Sequence, residues 1–392
     1  MARVLLLDGD TRQSLPMMRA LRARGHRVTV ACEERLSVGW MSRYAHHRVR
    51  VPSAEREPEA FVGALRALVS TGDFDVLIPL FDLCAHLVSR HKPELERWAR
   101  IPLVDYDVFM LARDKASTMR VCQESGVPCP QTWFPDEEPL ERIREAVSYP
   151  VLVKPRIAHG ARGIARVACA EDLIATHERI SALHGPCIVQ EFIPQTDRQY
   201  KAQFFRGRDG SMRAAIVFSK VRYFPVTGGT SSLNQTVERE DILDSGRRLL
   251  DAMGWIGYAD LDYIQDPRDA TAKVMEINPR VTGSVKIAFE AGIDFADLLV
   301  RSAFGEPLPS YDSYRVGLSM RYLPLDILWF LASPARFRAK PSWFHFFGSD
   351  LCYQVLSLRD PGPFLALGLS GIKRLLSPEV RAAKAGMDAG PP

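Results

Sequence analysis

The chain has 392 residues, 46% hydrophobic and 25% charged, with a formal net charge of +4; this is globular composition, too long for one core, so two or three domains are expected. Eight Lys/Arg and four Asp/Glu lie from residue 331 onward and make up the whole excess. Residues 1–330 are therefore neutral and lack the basic, aromatic-rich stripe of a nucleic-acid binder.

No run of about 18 apolar residues marks a membrane span. The apolar run of "MARVLLLDGD" stops at Asp8, too soon for a signal peptide. The seven cysteines are scattered without CxxC spacing and read as reduced thiols, so a cytoplasmic location is expected. Only the tail "AGMDAGPP" has the composition of disorder.

In chain order, "RVLLLDGD" predicts a buried parallel-type strand, "SLPMMRALRARG" a helix closed by Gly25, and "HRVTVAC" a second strand. "AFVGALRALVSTG" predicts a helix and "FDVLIPLFD" another strand. This alternation implies a parallel α/β unit over residues 1–108. The turn after the first strand lacks G-x-G-x-x-G, so no dinucleotide fingerprint is present.

"ARDKASTMRVCQESGVPCP" reads as one helix ending at Gly126, and opens a smaller α+β segment over 109–190. There "YPVLVKP" is a strand, "RIAHGARGIARVA" a glycine-containing hairpin, "EDLIATHERISAL" a helix and "CIVQEFIP" a strand. Residues 191–305 are strand-rich, with "YKAQFF", "MRAAIVFSKVRYF", "GYADLDYIQD" and "AKVMEINPR", and end in one helix, "SVKIAFEAGIDFADLLVRSAFG". The extension 306–392 is aromatic, proline-rich and basic. It reads as a helical cap over the core, the alternative being an amphipathic surface in peripheral contact with anionic lipid.

Three stretches carry chemistry. In "VMEINPRVTGS", Glu276 and Asn278 share one strand face, about 6.5–7 Å apart along the strand. An acid and an amide there suit a hard cation such as Mg²⁺. Asp262 would face Glu276 if "GYADLDYIQD" pairs with this strand as a hairpin; the bland alternative is a surface hairpin with incidental acids. In "VLVKP", Lys154 ends an apolar strand, where an ammonium calls for an anion. In "HGARG", Gly160 and Gly163 permit close backbone approach to phosphate, with Arg156 and Arg162 nearby, although such a run is also an ordinary hairpin turn. "VQEFIP" is either part of the site or a plain sheet exit. His46 and His47 read as solvated histidines.

The order of these signals resembles the ATP-grasp superfamily, most closely its carboxylate–amine ligase-like branch and the carbamoyl phosphate synthase and biotin carboxylase types of domain. "EINPRVTGS" and "VLVKP" carry the resemblance, which spans residues 1–305. It implies an α/β and α+β chain: a Rossmann-like parallel α/β domain, two α+β lobes gripping ATP (109–190 and 191–305) and the extension. Lys115 and Lys154 would hold the ATP phosphates under a lid containing His159, Gly160 and Gly163. Gln190, Glu191 and Ile193 would border adenine, and Asp197 the ribose. Asp262, Glu276 and Asn278 would hold Mg²⁺, with Mn²⁺ as a substitute. Arg280 would sit by the transferred phosphoryl group, and Lys220 and Arg222 would face the acceptor. Many relatives have Glu where this chain has Gln190.

The implied reaction activates a carboxylate as an acyl phosphate and joins it to an amine, releasing ADP and phosphate. Its partners would be small-molecule carboxylate and amine substrates, and a homodimer is common among relatives. A phosphotransferase that stops after phosphoryl transfer and a non-catalytic nucleotide-binding regulator are the competing expectations.

Overall fold

The computed structural model describes residues 1–158, 162–195, 198–226 and 229–376. Short leucine- and valine-rich strands build the first sheet: β1 (Arg3–Leu6), β2 (Arg27–Cys32), β3 (His47–Arg50) and β4 (Val76–Ile78). They run parallel in the order β3-β2-β1-β4. Side chains alternate across the sheet. Val4 and Leu6 therefore join Leu15, Met18 and Leu21 of the helix Ser14–Ala23 on one face. Leu5 and Leu7 join Phe61, Leu65 and Val69 of the helix Pro58–Val69 on the other. A sheet covered on both faces explains why its strands read as continuous apolar runs. The chain leaves β1 for β2 on one side and reaches β4 on the other, so a crevice opens at the carboxyl ends of β1 and β4.

The second sheet holds β5 (Thr132–Trp133), β6 (Val151–Pro155), β7 (Ala165–Val167) and β8 (Cys187–Glu191), in the order β5-β8-β6-β7. The helix Leu173–His184 covers one face through Leu173 and Ile180. The third sheet is the largest. β9 (Gln199–Arg206), β10 (Met212–Phe224), β11 (Thr230–Thr236), β12 (Gly257–Gln265), β13 (Ala272–Asn278), β14 (Ser319–Arg321) and β15 (Leu351–Tyr353) lie in the order β13-β12-β9-β10-β11-β14-β15. β14 and β15 come from beyond residue 305 and complete this sheet.

Two helices expected as continuous are each broken. The first is split into Tyr106–Arg113 and Lys115–Glu124, because Asp114 takes an extended backbone and its carboxylate accepts from the Ala116 amide at 2.9 Å. The second is split into Val285–Glu290 and Phe295–Phe304, interrupted by Gly292 at φ +104° and restarted by Asp294, which caps the Asp297 amide at 3.0 Å. In both, apolar periodicity runs on through a break that a short acidic side chain makes favourable. Among the described residues no helix is long and apolar enough to cross a membrane.

Candidate active site

β13, β12 and β9 are neighbours, and their register sets two polar rows across one face. Glu276 lies opposite Asp262, and Asp262 opposite Lys201. One step along, Asn278 lies opposite Asp260, and Asp260 opposite Gln203. The hairpin of β12 and β13 thus brings Asp262, Glu276 and Asn278 together as their spacing anticipated.

The centre of these rows is tightly paired. Lys201 Nζ donates to Asp260 and lies 3.0 Å from Asp262. Lys220 Nζ, from β10, lies 2.7 Å from the other Asp262 oxygen. Asn278 Nδ2 donates to Asp262 at 3.0 Å, while Thr282 Oγ1 and Gln203 Nε2 donate to Asp260 at 2.7 and 3.0 Å. Burial alone would raise the Asp262 carboxyl, but the Lys201 and Lys220 ammonium groups outweigh it and hold the acid well below its usual range. Burial alone would likewise discharge Lys201, yet Asp260 and Asp262 hold it firmly protonated.

Across from these rows stand two more lysines. Lys115 opens the helix Lys115–Glu124; its Nζ donates to the Ala158 carbonyl at 3.1 Å and lies 3.8 Å from Glu276. Lys154, near the end of β6, is buried and donates to Gln190 Oε1 at 2.6 Å. Gln190 in turn donates to Thr132 Oγ1 at 2.9 Å, so its side chain is spent on holding the lysine. Burial pushes the Lys154 ammonium down to about 8; Glu276 opposes this and Lys115 adds to it. The second and third sheets therefore face each other across ammonium groups on one side and a half-exposed carboxylate, Glu276, on the other.

Whether this face suits a hard cation can be judged from its donors. Among the described residues no three His, Cys, Asp or Glu side chains converge on one point. Glu276, Asn278 and Asp262 nevertheless offer oxygens on adjacent strands, and Mg²⁺ needs few protein ligands when phosphate and water fill its other positions. Glu276 is the accessible member, its side chain 41% exposed, whereas Asp262 is already neutralised by two ammonium groups. Glu276 and Asn278 therefore fit as direct ligands, with Asp262 beneath them.

The remaining candidates lie elsewhere. Arg222 does not join the cluster. It is buried with Asp326 and Arg321, 3.2 Å from the Asp326 carboxylate, donates to the Pro341 carbonyl and stacks on Trp329. The reason is a register shift between Lys220 and Arg222, which cancels the two-residue alternation that would have put them on one face. Arg280 forks onto Asp82 at 2.8 and 2.7 Å, joining the loop after β13 to the first helix beyond β4. The Glu191 side chain turns away from Lys154 and pairs with Arg268 and Lys273 at 2.7 and 2.9 Å, on the wall of an open depression of about 490 Å³. Ile193 is buried. Arg156 is committed to Asp114 and Asp136. Gly163 has φ +74°, and a Cβ there would lie 2.6 Å from His184 and 2.8 Å from Pro155, so only glycine fits. His159, Gly160 and Asp197 lie outside the described residues.

Sequence reasoning missed four groups. Asp260 precedes Asp262 by two residues, so strand alternation could have found it. Lys201, a lysine in the middle of an apolar strand, was a signal of the same kind. Asp82 carried none. Arg12 lies at the crevice of the first sheet, stacked 4.1 Å over Tyr322 and donating to Gln354 Oε1 at 3.1 Å. Gln354 also donates to the Gly283 carbonyl, which ties Arg12 to the loop that follows Arg280. Burial lowers the Arg12 guanidinium, and no carboxylate among the described residues pairs with it.

Comparison with known proteins accords with this geometry. Residues 112–284 match the family model for an ATP-grasp domain. The chain is 26% identical over 252 residues to D-aspartate ligase of Enterococcus faecium, covering 59% of this chain and 60% of that protein. It is 25% identical over 233 residues to the C-terminal section of the carbamoyl phosphate synthase large chain of Methanopyrus kandleri, covering 57% and 43%. The chain thus spans about half the length of these curated relatives. A biotin carboxylase from Campylobacter jejuni, solved with β,γ-ATP, superposes with a TM-score of 0.67 at 16% identity, over 81% of this chain and 74% of that one.

Proposed function

Residues 112–284 match an ATP-grasp domain model, and from that match we propose that the protein is an ATP-dependent ligase that joins a carboxylate to an amine and releases ADP and phosphate. The observation that carries this reading is the facing of Lys115, from a helix, and Lys154, from the second sheet, with the row Glu276–Asp262–Lys201 of the third sheet.

The chemistry explains the residue types. A carboxylate attacking a γ-phosphate brings two anions together, so positive charge must be fixed in advance. Lys115 and Lys154 supply it as point charges on the phosphates. Glu276 and Asn278 would hold a Mg²⁺, which supplies further charge neutralisation when bound. Asp262 holds the Lys220 ammonium by an ion pair at 2.7 Å, and Lys201 keeps Asp262 ionised. Asp82 holds Arg280 through its Nε and Nη2 donors, fixing a positive charge that would sit beside the transferred phosphoryl group and the new acyl phosphate. Gly163, which lies against Pro155 and His184, belongs to the segment that the ATP-grasp resemblance implies as a lid, which would exclude water from the acyl phosphate. The acceptor is assigned to the crevice at the ends of β1 and β4, where the guanidinium of Arg12, with no carboxylate partner among the described residues, suits an anionic group.

The test is a pairwise screen of carboxylates and amines with ATP, read by ADP release and product mass. ADP and phosphate should form only when both partners are present, and the product should weigh their sum less one water. Formation of AMP, or a stable phosphorylated product made without the amine, would overturn the proposal.

A further inference from the structure

The net charge and the exposed apolar side chains of this protein gather in the same place. From Ile327 to Phe347 there are twenty-one residues, among them Arg336, Arg338 and Lys340, without one Asp or Glu, and His345 lies 3.1 Å from Asp350 just beyond the stretch. Asp326, the acid just before, is buried against Arg222 and Arg321 and so adds nothing to the surface field. Within the same stretch Leu331 is 68% exposed, Phe337 71%, Phe344 57% and Phe347 89%, with Ile327 and Leu328 beside them.

These side chains form a built surface. The helix Leu323–Ala332 keeps Trp329 inward and turns Ile327, Leu328 and Leu331 outward. Phe330 joins it to the following segment, its ring centroid 4.2 Å from Trp343, 5.5 Å from Phe337 and 5.8 Å from Phe344. The aromatic platform is thus held in place by its own stacking, while Phe337 and Phe347 project from it and Arg338 and Lys340 stand exposed at its edge.

We propose that residues 327–347 dock this protein on the surface of an anionic lipid bilayer. Aromatic and leucine side chains enter the headgroup boundary, and the adjacent basic residues are drawn to the negative surface potential of the bilayer. Charge selects this occupant over a second copy of the chain. A two-fold pairing of this patch would set Arg336, Arg338 and Lys340 against their own copies, with Asp350, which lies beside His345, as the acid at its edge. The inference does not depend on the ligase reading.

Flotation of the purified protein with vesicles of equal parts phosphatidylglycerol and phosphatidylcholine tests it. The protein should float with these vesicles, remain behind with phosphatidylcholine alone, and be released as salt rises toward roughly 0.5 M. The triple variant Arg336→Glu, Arg338→Glu, Lys340→Glu should lose at least about tenfold in partitioning. Phe337→Ser with Phe347→Ser, both at highly exposed positions, should do the same with an unchanged thermal unfolding midpoint. Equal binding to both vesicle types, no binding to either, or both variants floating like the parent would overturn the proposal. So would light scattering that shows a dimer in the parent and a monomer in the phenylalanine variant, because the patch would then be covered by a second copy.

Discussion

Lys154 shows how much one buried position decides. Its ammonium titrates near 8 in the free protein, against an ordinary 10.5, because burial disfavours the charge. Nucleotide phosphate needs the charged form, so ATP affinity should be flat below about pH 8 and fall close to tenfold per pH unit above it. Calorimetric titration from about pH 7 to about pH 10 should show this, and Lys154→Met should bind weakly with the slope gone. Stability runs the other way. Between about 8 and 10.5 the unfolded chain binds a proton that the folded chain does not, so folding stability rises with pH in that window. Glu276→Gln should lower turnover by roughly 10²–10³-fold, the scale of losing one aligned electrostatic group. Its half-exposed side chain predicts a change in urea stability within about 0.5 kcal/mol. A Glu276→Gln enzyme with full activity would remove Glu276 from the site.

Among the elements, β10 and the helix Leu323–Ala332 are joined by charge buried as completely as any among the described residues. Asp326 accepts from Arg222 and Ser232 at 3.2 and 3.0 Å, and Arg321 Nε lies 3.1 Å away. Asp326→Ala would strand two guanidinium groups in the interior and should cost about 3–5 kcal/mol, read as a lower urea midpoint. The parent midpoint in that variant would mean that water already reaches the pair. Element types were legible because period is local: alternation in β12 and β13 and the apolar runs of β1, β2 and β4 are written in consecutive residues. Element ends were not. Asp114 and Asp294 break their helices by capping the next turn, a choice between backbone and side-chain bonding that periodicity does not record.

At the level of the whole molecule, the first and third sheets share one hydrophobic core, in which Val4, Leu6 and Val30 meet Phe205, Ile216, Tyr258 and Leu298. The Arg280–Asp82 fork lies on this junction and is the point where the crevice of the first sheet meets the polar rows of the third. Asp82→Ala should therefore lower kcat by about tenfold or more while leaving KM for ATP nearly unchanged, since it frees Arg280 without touching Lys115 or Lys154. A parallel rise in KM for ATP would place Arg280 on nucleotide binding instead. Steady-state kinetics with each substrate varied in turn separates the two outcomes.

By itself the sequence determined the α/β character of the first unit, the shared face of Glu276 and Asn278, and the burial of Lys154. The first follows from the alternation of strand and helix patterns along the chain, the other two from the spacing of neighbours along one strand. Only the tertiary structure decided that Lys201, from a strand some sixty residues earlier, locks Asp260 and Asp262, and that a register shift turns Arg222 away from Lys220 into a buried pair with Asp326. Coulomb attraction acts through space between groups that the fold brings within 3–4 Å, and no local pattern encodes which distant partner will be there.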